Sequence, residues 1–228
     1  MNDRQQLGEI IATSYSNFTV ESYELNSTPP LGGLVVAENV IGVVCAARTE
    51  GLGPISAKGS ATDEDGGVYN LYPDLQRTLR TNFTAIVVGC YPTSPQSEIR
   101  NPKSEIPTYT YPECPPRVHY QCFLASDDEL IRFTTHPDYL RLILYTTDAP
   151  PSSIDQMLVH LLLRAYRTRN NDHEWLQSTA EYLGRQLKGQ YDRLLALLKT
   201  LDSLTSTPDA PAPSSNGSIP ASVGNVKL

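Results

Sequence analysis

Leu31-Gly-Gly-Leu-Val-Val-Ala-Glu-Asn-Val-Ile-Gly-Val-Val-Cys-Ala-Ala47 is the stretch on which the fold turns. Two runs rich in Val and Ile flank Glu38-Asn39, the pattern of a β-hairpin. Upstream, Leu7-Gly-Glu-Ile-Ile-Ala-Thr-Ser-Tyr-Ser-Asn-Phe-Thr-Val-Glu-Ser-Tyr23 repeats the arrangement around Ser16-Asn17. The apolar runs fall at 8–12, 18–23, 34–37, 40–47 and 84–90, with Gly, Pro and Asn between them. A long Gly- and Asp-containing excursion occupies 49–70. Tyr72-Pro73-Asp-Leu-Gln-Arg-Thr-Leu-Arg then predicts one short helix, with proline in its first turn. Several short strands with a single helical insert predict a small antiparallel β-barrel over 1–91.

Outward from the barrel the composition changes three times. Residues 92–117 are rich in Pro, Ser, Thr and Tyr and read as an extended connector, with Tyr91, Tyr109 and Tyr111 as packing handles. Residues 118–204 read as a closing strand near 119–124 followed by a helical domain. Ser126 is placed to cap a helix over 127–133, whose acidic first turn suits the helix dipole. Pro137 opens a short helix to Tyr145. Ser153-Ile-Asp-Gln156 has the capping-box pattern and predicts a helix over 154–169. The strongest periodicity predicts one last helix over 174–204. Leu176, Ala180, Leu183, Leu187, Tyr191, Leu194, Leu198 and Leu201 form its stripe. At 1.5 Å per residue it would run roughly 45 Å. Residues 205–228 have no periodicity and are expected to be a disordered tail. The fold class is α+β, an N-terminal barrel followed by a C-terminal helical region.

The 228 residues carry a net charge of −7, which disfavours phosphate contacts as the main source of affinity. The start is polar, and no run approaches the roughly 20 apolar residues that span a bilayer. A cytoplasmic protein with no membrane contact is expected, its four cysteines reduced.

The search for chemistry assigns no catalytic and no cofactor-binding residue. Glu50-Gly-Leu-Gly-Pro-Ile-Ser-Ala-Lys58-Gly-Ser60 has the residue types of a phosphate loop but the wrong spacing. Cys114, His119 and Cys122 offer three zinc-type ligands within nine residues, without a fourth ligand or paired spacing. Asp63-Glu-Asp-Gly-Gly-Val-Tyr-Asn70 opens like a calcium loop, yet its twelfth position is Asp74. His160, in an apolar helix, reads as a core or interface residue. Arg164, Arg167 and Arg169 gather at a helix end and are the candidates for nucleic-acid contact. The expectation is a protein that is not an enzyme. A nucleic-acid-binding protein is the alternative, and a metal-dependent hydrolase the second.

Leu7-Gly-Glu-Ile-Ile-Ala-Thr-Ser-x3-Phe-x-Val, Leu31-Gly-Gly-Leu-Val-Val-Ala-Glu and Val40-Ile-Gly-Val-Val together resemble the HAS-barrel, the small N-terminal barrel of HerA-type DNA-translocating ATPases and of rotary ATP synthase catalytic subunits. Pro115-Pro-Arg-Val-His-Tyr-Gln-Cys-Phe-Leu-Ala-Ser-Asp-Asp-Glu-Leu130 looks like the segment that closes the barrel in HerA-type proteins. The chain further resembles stand-alone HAS-barrel proteins of cyanobacteria. The resemblance covers about 60% of the chain and brings no ATPase motif with it. It implies an assembly or adaptor module that forms a homo-oligomer or docks a protein partner such as a HerA-type ATPase or a nuclease, with DNA processing as the setting. The contact candidates are Val40, Ile41 and Val43 on a barrel strand and Leu187, Tyr191, Leu194 and Leu198 on the last helix.

Overall fold

A computed structural model describes residues 4–51, 74–92 and 106–205. Six strands form a closed antiparallel barrel: β1 (Gln6–Thr13), β2 (Asn17–Ser22), β3 (Leu34–Ala37), β4 (Val40–Gly51), β5 (Leu79–Cys90) and β6 (Gln121–Leu124). Around the barrel the order is β1-β2-β5-β4-β3-β6, and β6 returns to β1. The final strand pairs with β1 on one side and β3 on the other, so it closes the sheet. Bulges bend the ladder where it must curve, among them one at Ile11 between the Ile10–Val20 and Ala12–Thr19 pairs.

The helices are α1 (Asp74–Thr78), α2 (Asp127–Phe133), α3 (Tyr139–Leu144), α4 (Pro151–Thr168), α5 (His173–Gln186) and α6 (Tyr191–Thr205). α1 is short and β5 starts directly after it. Ser126 caps α2 as expected: its hydroxyl accepts from the Glu129 amide, and the Glu129 carboxylate accepts from the Ser126 amide at 2.9 Å. The capping-box reading at Ser153 is corrected. α4 begins three residues earlier, at Pro151 rather than Ile154, behind Pro150, and no side chain caps it. Proline fixes φ for a first helical turn, so the Pro-Pro pair sets this start.

The single helix expected over 174–204 is also corrected. Leu187 ends α5, Gly189 turns into the left-handed region at φ +93°, and α6 starts at Tyr191. Both halves keep the apolar period, but the break resets it. Leu183, Leu187, Leu197 and Leu201 are buried, while Leu194 and Leu198 are half-buried and Tyr191 is exposed. Two helices that fold back can both reach α4, whereas a straight rod of that length could not.

Two apolar cores result. One fills the barrel, with Ile10, Phe18, Val20, Val40, Val44 and Phe83 pointing inward. The other joins the outer face of β3, β4 and β5 to the helices: Val36, Ile41, Val43, Ile86 and Val88 pack with Phe133, Tyr139, Leu140, Met157, Leu158 and their neighbours. Gly32 marks a close joint between barrel and helices. Its φ is +72°, and a Cβ there would sit 2.6 Å from the Leu161 amide nitrogen on α4. The connector contributes as well. Thr108 and Cys90 exchange backbone hydrogen bonds, and the Tyr109 hydroxyl donates to the Phe133 carbonyl at 2.8 Å. Among the described residues, no helix is long and apolar enough to cross a membrane.

Candidate functional site

The helices cover the barrel wall made by β3, β4 and β5. In the opposite wall, made by β1, β2 and β6, no strand residue belongs to the core packed against the helices. Side chains of β1 and β2 alternate between buried and exposed, and large apolar groups are exposed on this wall or just beyond its strand ends. Ile11 is 40% exposed, Tyr23 51%, Val118 41% and Tyr120 40%. The bulge aims Ile11 outward. Backbone bonds from the Ile10 amide to the Tyr120 carbonyl and from the His119 amide to the Ile10 carbonyl bring 118–120 beside it.

Next to this patch lies an open groove of about 680 Å³, lined by Arg4, Val36, Glu38, Arg117, His119, Tyr120, Gln121 and Phe123. Arg117 organises it. The guanidinium Nε donates to Glu38 Oε1 at 2.8 Å, the Arg117 amide donates to Oε2 at 2.9 Å, and the guanidinium carbon lies 4.0 Å from the centre of the Tyr120 ring. The hydrogen bond to Glu38 holds the Arg117 pKa above its ordinary value. Arg4 pairs with the buried Glu129 at the start of α2, and His119 lies 3.9 Å from Glu9. Both arginines of the groove therefore have a carboxylate partner. That balance suits recognition by aromatic and guanidinium groups, as at protein interfaces, more than capture of a bare anion.

Two groove residues also hold backbone conformations that L-residues rarely adopt. Glu38 has φ +52° and His119 φ +67°. Neither is glycine or asparagine, and such positions cost on the order of 1–3 kcal/mol each. Arg117 fixes the first through three hydrogen bonds to one carboxylate. Asn39 is tied back to Tyr91 by a 2.7 Å backbone bond, which anchors the same turn to the end of β5.

No family model matches the chain, and no curated protein does.

The residues singled out in the sequence are spread over the molecule. Val40, Ile41 and Val43 are fully buried, Val40 inside the barrel and the other two against the helices, so none presents a contact surface. Leu187 is likewise core. Leu198 lines a recess of about 570 Å³ between α5 and α6 with Leu176, Ala180 and Leu201. Cys122 faces the barrel interior, where burial pushes its thiol up to about 12, whereas Cys114 and His119 are exposed. Among the described residues no three His, Cys, Asp or Glu side chains come together as a metal group. The calcium-like loop at 63–70 and the glycine-rich stretch beyond Gly51 lie outside the described residues.

The arginine cluster does not converge. Arg169 turns inward, donates to the Ile131 carbonyl and stacks 4.6 Å from the Trp175 ring, and burial lowers its pKa. Arg164 and Arg167 line a smaller recess of about 380 Å³ with Asp127 and His160. His160 is exposed there rather than in the core. The groove residues Glu38, Arg117 and Tyr120 carry no sequence motif. The one visible signal is Arg-Val-His-Tyr immediately before a short strand, a cluster of interface-prone side chains at an element boundary.

Proposed function

We propose that this chain is a cytoplasmic, non-enzymatic assembly module that docks a partner protein through the barrel wall made by β1, β2 and β6. The observation that carries the reading is the contrast between the walls. One is sealed by helices, and the other offers Ile11, Tyr23, Val118 and Tyr120 beside the Arg117–Glu38 groove. Tyr and Arg anchors next to partly exposed aliphatic side chains are what binding hot spots are made of. The resemblance to HAS-barrels supplies the partner class, a HerA-type DNA-translocating ATPase or its associated nuclease, and hence a role in DNA processing.

The test is calorimetric titration of the full chain against a purified HerA-type ATPase. Binding is expected, and Tyr120→Ala or Ile11→Asp is expected to weaken it at least about tenfold without lowering the melting temperature. Absence of binding, or binding untouched by both substitutions, would overturn the reading.

A further inference from the structure

The β4–β5 ladder extends beyond the point where β3 pairs, and among the described residues no strand pairs with its outer edge. β4 pairs with β3 only over Val40 to Val43, and Val44 still bonds to Gly32 and Gly33. From Ala46 to Gly51 it pairs with β5 alone, and among the described residues no strand lies along its other side. Residues 46–50 are exposed. An exposed strand edge carries backbone donors and acceptors able to pair with another extended chain.

We propose that this edge pairs with the same edge of a second copy, antiparallel, about a two-fold axis through Thr49. The choice of occupant comes from charge. In that register Arg48 stands opposite Glu50 of the second copy, and Glu50 opposite its Arg48. Sliding by two residues either way would set Arg48 against Arg48 or Glu50 against Glu50, so the charges select one register. The pairing also continues a ladder present within each chain. Glu21 on β2 bonds Arg80 on β5 at 3.0 Å, and Arg80 stands opposite Glu50 on β4. Adding the second copy's Arg48 extends the row as Glu21, Arg80, Glu50, Arg48, with the sign alternating at every step. At present Arg48 turns back to its own Glu50 at 3.2 Å, with both side chains well exposed. Small residues at Ala47 and Gly51 face each other across the same register and leave the backbones free to approach. A contact of five residues per strand belongs to the weak, concentration-dependent class.

This surface is distinct from the wall made by β1, β2 and β6 and goes beyond the docking reading. The experiment is sedimentation velocity of the full chain over a concentration series at low and high salt. The expected result is a monomer–dimer equilibrium that salt weakens. Arg48→Glu alone and Glu50→Arg alone should each weaken association at least about tenfold by placing like charges opposite. An equimolar mixture of the two variants should dimerise again, because one then carries two acidic and the other two basic residues. The mixing step separates loss of complementarity from loss of fold. A wild-type chain that stays monomeric, reversed variants that dimerise as before, or a mixture that fails to associate would each overturn the proposal. Tyr120→Ala should leave this dimer unchanged.

Discussion

The covered and uncovered walls of the barrel are built from strands of different grammar. β3, the barrel part of β4, and the second half of β5 (Ala85–Cys90) read as unbroken apolar runs, and every residue in them is buried. β1 and β2 alternate, with buried residues only at every second position. The physical reason is that a strand covered on both faces has no side facing water, whereas a strand covered on one face keeps one. An unbroken Val/Ile run therefore reports the presence of a second layer, and in this chain that layer is the helices.

The sharpest way to break this comparison is to truncate one isoleucine on each wall. Ile41→Ala, on the covered side, should cost about 2–5 kcal/mol in urea unfolding. Ile11→Ala, on the uncovered side, should cost about 0.5 kcal/mol or less. Equal losses would mean that the uncovered wall is packed after all.

A smaller effect tests the barrel interior against the exposed connector. The Cys122 thiol is raised from 9.0 to about 12 by burial. In the unfolded chain it loses its proton near 9, while the folded chain holds it to about 12. Deprotonation thus favours the unfolded state between those values, and stability falls as pH rises through them, by at most about 1.4 kcal/mol per pH unit. Below 9 the contribution is intact. Urea midpoints at about pH 8 and about pH 10 should differ less in Cys122→Ala than in the wild type.

Gly189→Ala probes how the helical layer is completed. The site is left-handed and nothing lies within 4 Å of the added Cβ, so the cost is conformational, about 1 kcal/mol. Amide exchange should quicken mainly in α5 and α6. Smallest of all, Tyr139→Phe should leave stability unchanged or raise it by less than about 1 kcal/mol. Its hydroxyl is buried without a hydrogen-bond partner in the described residues, and thermal melts would show the difference.

Much of the fold was legible in the residues. The five early strand runs, the late closing strand near 119–124 and the Ser126 cap all follow from local pattern and cap chemistry. The split of the last helix was not, because leucines at steps of three and four run unbroken through 187–191 and Lys188-Gly189-Gln190 is a weak stop signal without a proline. The site was less legible still. Val40, Ile41 and Val43 looked like contact residues because they are apolar, yet apolarity alone does not separate a covered face from an exposed one. Glu38, Arg117 and Tyr120 meet only because β6 returns to lie beside β3 and β1, and that long-range pairing has no local signature.

The return of β6 also bears on how the protein is made. The strands from Gln6 to Cys90 emerge from the ribosome as an open sheet, with one side of β1 and one side of β3 unpaired until the segment at Gln121–Leu124 follows. Closure of the ring is thus a late event in synthesis, and the nascent chain carries two raw strand edges for the interval. A fragment stopped at residue 91 would freeze that interval permanently and is expected to aggregate.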